Sequence, residues 1–136
     1  MKSKPTIGRR FLIAGVTLMS AAAASAAPKG DATHGQQLFA RCAACHVIGA
    51  TPGTRMGPNL NGVFGRKAGT LPGYTYSAAM KKFGLTWDAP TLARFLQAPM
   101  KVVPGTKMAF PGLSNAQDQA DVVAYLKQYR ANGTKK

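Results

Sequence analysis

Negative charge is scarce in this chain. Four acidic residues stand against 18 basic ones in 136, for a formal net charge of +14. Such a balance draws a protein to nucleic acid, anionic lipid or acidic protein surfaces, and charge alone does not choose among them. An interleaved aromatic platform and a helix-turn-helix signal are both missing, which removes support for nucleic acid. A long apolar run is missing as well. The one that begins at Phe11 fades into alanine after Met19, short of the ~20 residues that span a bilayer. Lys2, Lys4, Arg9 and Arg10 precede that run, and Ser25, Ala26 and Ala27 follow it before Pro28. Residues 1–27 therefore read as a secretory signal peptide cut after Ala27, not as a membrane anchor. Cleavage removes four basic residues and no acidic one, which leaves a net charge of +10 on residues 28–136. That length fits one domain, exported to the periplasm and not stably inserted in the membrane.

Neither an internal repeat nor a strand-like alternation is found. Helical spacing is confined to a few segments. Leu38, Phe39, Cys42 and Cys45 recur at three and four over Asp31–Ala44, with Asp31 as cap. Ala120, Val123, Ala124 and Leu126 repeat the pattern over Asn115–Tyr129. A third helix is predicted over Asp88–Gln97, with Pro90 in its first turn and Pro99 beyond its end, and a short helical turn near Ser77–Lys82. Residues 47–76 and 98–115 are crowded with glycine and proline and read as loops. A small domain with this much loop buries too little apolar surface by helix packing alone. It needs a staple, a metal or a cofactor.

Cysteine and histidine are rare, two of each, and three of the four stand together as Cys42-Ala43-Ala44-Cys45-His46. A disulfide across two residues closes a tiny loop with little entropic gain. A thioredoxin-like pair needs a preceding strand, and none is predicted. A zinc site would need four ligands and would have to recruit His34 beside the adjacent Cys45 and His46. C-x-x-C-H is the attachment motif of c-type haem: two thiols reach the two vinyl groups on one porphyrin edge while the imidazole reaches the iron. The second axial position of such an iron suits a thioether, and residues 28–136 offer Met56, Met80, Met100 and Met108. Met108 stands out because Pro104 and Pro111 restrain the loop that carries it.

The segments "LFARCAACH", "GPNLNGVFGRKAG", "PGYTYSAAM", "LTWDAPTL", "PGTKMAF" and "DVVAYLKQ" occur in an order that resembles the class I cytochromes c, the soluble bacterial and mitochondrial-type group, from Gly30 to about Arg130. The resemblance implies an all-α cytochrome c fold: three to five helices with long loops wrapped around one covalently bound haem c. It implies thioethers at Cys42 and Cys45, axial ligands His46 and Met108, and a Pro58 carbonyl that accepts the imidazole's other N–H. Arg66, Tyr76, Trp87 and Thr106 match the propionate side. Gly35, Phe39 and Tyr125 match the contact where the terminal helices cross. Phe95, Met80 and Ala98 depart from the family's polar residues, so a thinner polar network is expected beside Met108. Arg41, Arg55, Lys101, Lys107 and Phe110 match the docking face around the haem edge, whereas Gln37 and Met100 replace usual lysines.

The implied function is one-electron transfer by a monomeric carrier. Its partners would be the acidic surfaces of membrane redox complexes: a quinol-oxidising complex as donor, a terminal oxidase or photosynthetic reaction centre as acceptor. An enzyme is not expected. The alternative is a peroxidase-like haem enzyme or ligand-binding sensor with a labile sixth ligand. It would need a distal acid or base, and His34, the only other histidine, reads as a solvated helix residue.

Overall fold

The computed structural model describes residues 26–136. Residues 1–25 of the expected signal peptide lie outside them. The elements in order are α1 (Ala32–Phe39), α2 (Ala78–Phe83), α3 (Ala89–Gln97), α4 (Pro99–Val102) and α5 (Ala116–Lys127). Among the described residues there is no β-strand, only isolated bridges at Lys67–Thr86 and Tyr129–Lys135. The fold is all-α, as expected. No helix among the described residues is long and apolar enough to cross a membrane.

Each longer helix starts where a short polar side chain can take up orphan backbone N–H groups. Asp31 accepts from Thr33 and His34, Asp88 from Thr91, and Asn115 from Gln117. Such caps are worth ~1 kcal/mol each. α1 ends five residues before its expected end. Beyond Phe39 the bonds tighten to i→i−3, with Arg41 N–H on Leu38 O (3.1 Å) and Cys42 N–H on Phe39 O (2.8 Å). Cys45 and His46 then donate to Cys42 O at 3.0 and 2.9 Å. The Cys-x-x-Cys-His run therefore sits on tight turns at the end of the helix, not on its face. α4 lies inside a stretch expected to be loop. Four residues are too few to show a period, although Pro99 stands at its first turn.

The terminal helices α1 and α5 pack against each other, and α3 packs on α5. Gly35 makes the crossing possible: a Cβ there would overlap the Asp121 carbonyl and lie 3.0 Å from Tyr125 Cβ. Phe39 and Tyr125 meet beside it in a tilted contact at 5.3 Å between ring centres, and Tyr129 meets Tyr125 edge-on at 5.4 Å. A polar knot closes the crossing. Asp121 is 2 % exposed, and one of its oxygens accepts from Asp31 N–H (2.7 Å) and Gln117 Nε2 (2.8 Å). Its other oxygen meets His34 Nδ1 at 2.7 Å. His34 is therefore not a merely solvated residue; it is the α1 half of the single salt bridge found among the described residues.

Candidate cofactor site

The two loops fold over the open side of the helices and leave an apolar cavity of ≈ 290 Å³. α1 contributes Phe39 to its wall, α2 Met80, α3 Leu92, Phe95 and Leu96, and α5 Val122 and Leu126. Cys42, Cys45, His46, Pro58 and Met108 all line this same space. The thiols are not bonded to each other. Burial pushes the Cys42 thiol up, and neighbouring Arg41 offsets this only in part. A dithiol redox centre needs the opposite shift, toward thiolate.

The His46 ring is fixed from two sides. Its Nδ1 lies 2.8 Å from the Pro58 carbonyl. A carbonyl only accepts, so Nδ1 carries the proton and Nε2 keeps its lone pair. Burial holds the imidazole below its ordinary pKa, against the upward pull of that carbonyl, which keeps it in the neutral form that binds metals. Gly57 presses on the same ring: a Cβ there would stand 2.5 Å from His46 Cε1 and 2.7 Å from Nδ1. The sequence reading assigned Gly57 no role, and its position inside the "MGPNL" run was the only available sign.

Arg66 also lines the cavity and donates to the carbonyls of Asn61 (3.0 Å) and Asn59 (3.1 Å). Burial draws its pKa down, and no carboxylate among the described residues pairs with it. A half-buried cation with only neutral partners suits an anionic group inside the cavity. Tyr76, Trp87 and Thr106 lie in the same lining. Burial pushes the Tyr76 hydroxyl up while Arg66 pulls it back. Trp87 is buried between Phe83 and Phe95, at 5.7 and 5.1 Å between ring centres. Met80 and Phe95 also face the cavity, and Ala98 does not.

The expected docking residues are only partly gathered. Arg41, Lys107 and Phe110 reach the lining. The Arg41 guanidinium sits 5.6 Å from the centre of the Phe110 ring, and Lys107 Nζ donates to Thr75 O at 2.8 Å. Arg55 is exposed outside the lining and donates to Ala43 O at 3.0 Å, beside the cysteine motif. Lys101 lies apart from the cavity, exposed on α4.

These residues fit a covalently tethered haem: two thiols, an imidazole with a free Nε2, a thioether and a half-buried cation with no carboxylate partner among the described residues share one apolar space. Comparison with known proteins points the same way. The family model described as cytochrome c matches residues 32–130. Cytochrome c2 of Rhodoblastus acidophilus is 52% identical over 106 residues, covering 78% of this chain and 99% of that protein. Cytochrome c of Cannabis sativa is 49% identical over 106 residues, covering 77% and 96%. Among solved structures, cytochrome cH from Methylobacterium extorquens is similar at a TM-score of 0.68 and 49% identity, over 72% of this chain and 98% of that one. With a family match spanning most of its length and relatives near half identical, the chain belongs to the cytochrome c family, haem-based electron carriers and not enzymes.

Proposed function

We propose that residues 28–136 form a soluble, monomeric carrier with one haem c, exported to the periplasm by residues 1–27. The observation that carries this reading is the convergence of Cys42, Cys45, His46 and Met108 on one apolar cavity. A bound haem would supply one-electron redox chemistry. Cys42 and Cys45 would hold it through two thioethers. His46 Nε2 and the Met108 sulfur would ligate its iron, and the Pro58 carbonyl fixes the imidazole's rotation and basicity. Arg66 and Tyr76, with Trp87 and Thr106, would hold the propionates. The apolar wall from α2, α3 and α5 keeps water out, which limits reorganisation as the charge changes.

The lining includes no carboxylate and no histidine besides His46, and His34 is engaged at Asp121. This wall therefore offers no carboxylate or second imidazole to act as a distal acid or base for peroxide chemistry. Arg41, Lys107 and Phe110 at the lining are the centre of the face that meets acidic surfaces of membrane redox complexes, with Arg55 at the cysteine motif and Lys101 on α4 adding positive charge away from it. Quinol-oxidising complexes are the donors, and terminal oxidases or reaction centres the acceptors. Encounter rates should fall as salt rises.

Met108→Ala tests the axial assignment. In the ferric holoprotein it should abolish the weak sulfur-to-iron charge-transfer band and let cyanide bind at once. A band that survives would transfer the role to another methionine and overturn the assignment.

A further inference from the structure

We propose that Tyr74 is a positioning residue for His46, acting through the backbone of Met56, Gly57 and Pro58. Its hydroxyl donates to the Met56 carbonyl at 2.8 Å. Among the described residues this is the only hydrogen bond between the segment 50–57 and the loop 66–77. The segment has few other holds on that side. The Met56 side chain is 81 % exposed, at the rim of the cavity. The other bonds run back toward the cysteine motif, from Gly57 N–H to Cys45 O (2.8 Å) and from Arg55 to Ala43 O (3.0 Å), or stay local, from Asn59 Nδ2 to Gly53 O (3.1 Å) and from Arg55 N–H to Gly57 O (3.1 Å).

The next two residues are the ones that hold the imidazole. Gly57 lies against the ring, and Pro58 O accepts its Nδ1–H. Three consecutive peptides thus take a hydroxyl at one end and orient the iron's ligand at the other. Tyr74 is itself set by the turn at Pro72-Gly73, with Gly73 at φ 78. An edge-on contact with Tyr76 at 4.7 Å braces its ring. The hydroxyl can therefore hold the segment without reorganising. Releasing it would loosen the stretch that carries both contacts to His46, leaving the Gly57 N–H bond to Cys45 O as its nearest anchor.

The inference rests on His46 being the iron's ligand, which the wild-type spectrum checks before any variant is made. In the full holoprotein, Tyr74→Phe removes the hydroxyl and keeps the ring. By proton NMR, exchange of the His46 Nδ1–H and the Gly57 amide should accelerate about five- to tenfold, the local effect of one lost hydrogen bond. The hyperfine-shifted His46 ring protons should move, and the α1 and α5 amides should not change. Unchanged exchange in Tyr74→Phe overturns the proposal. So does acceleration spread equally over α1 and α5.

Discussion

The crossing of α1 and α5 and the loops around the cavity are built on different principles. At the crossing, side chains satisfy one another: Gly35 lets the backbones touch, three aromatic rings meet in tilted and edge-on contacts, and both carboxylate oxygens of Asp121 have partners. Around the cavity, apolar side chains from α2, α3 and α5 pack in one cluster but also line a shared open space. The bonds there run from side chains to loop carbonyls, as with Arg66 and Tyr74. One region completes its own core, and the other is completed by what it holds. The sharpest test removes the cofactor. A Cys42→Ser/Cys45→Ser chain made without haem should lose its cooperative unfolding transition and most of its helical circular dichroism. A compact apo form that melts cooperatively would show that the loops need no common packing surface.

Two glycine substitutions separate the regions at smaller cost. Gly35→Ala drives a methyl into a backbone carbonyl that no rotamer change relieves. It should destabilise the holoprotein by about 3 kcal/mol, the upper end for overpacking, and leave the reduction potential unchanged. Gly57→Ala meets the His46 ring instead. It should shift the potential and the hyperfine-shifted resonances of the ligand, with a smaller loss in denaturant midpoint. If Gly35→Ala moved the potential as much as Gly57→Ala, the two regions would be one mechanical unit.

What could be read from the sequence follows the same division. The terminal helices and their caps show in a period of three and four and in Asp31 and Asn115, because helix signals are local. The Cys-x-x-Cys-His motif is equally local, and the resemblance placed Gly35, Phe39 and Tyr125 together before any coordinates. Contacts between loops carry no period. The bond from Tyr74 to Met56 spans 18 residues, and nothing in either segment announces the other. α4 is shorter than any pattern that could reveal it. The α1 helix was read too long because Cys42 and Cys45 continue its spacing while the backbone has already tightened into turns. His34 is exposed on α1, as a solvated helix residue would be, but its pairing with Asp121 was out of reach of the sequence because that partner lies 87 residues away.

That pair makes the smallest of these predictions, and it belongs to the crossing alone. The hydrogen bond to Asp121 raises the His34 pKa above 6.5, with Asp118 and Asp31 adding to the pull. Burial pushes the Asp121 carboxyl up, but the bonds from Asp31 N–H, His34 and Gln117 hold it below its ordinary value. A raised histidine pKa gives stability that is complete below the unfolded value and fades as pH rises through the folded one. A depressed carboxylate pKa gives stability that fades as pH falls through its folded value. The crossing should therefore be firmest on the acid side of neutrality, between those two limits, and should weaken toward alkaline pH. His34→Gln should flatten the alkaline limb of the melting-temperature profile while leaving the haem spectrum untouched. His34→Lys keeps a cation there and should hold stability nearly constant through neutral pH. An alkaline limb that survives in His34→Gln would place the titrating group in the cavity loops, and the contrast between the two regions would lose its electrostatic half.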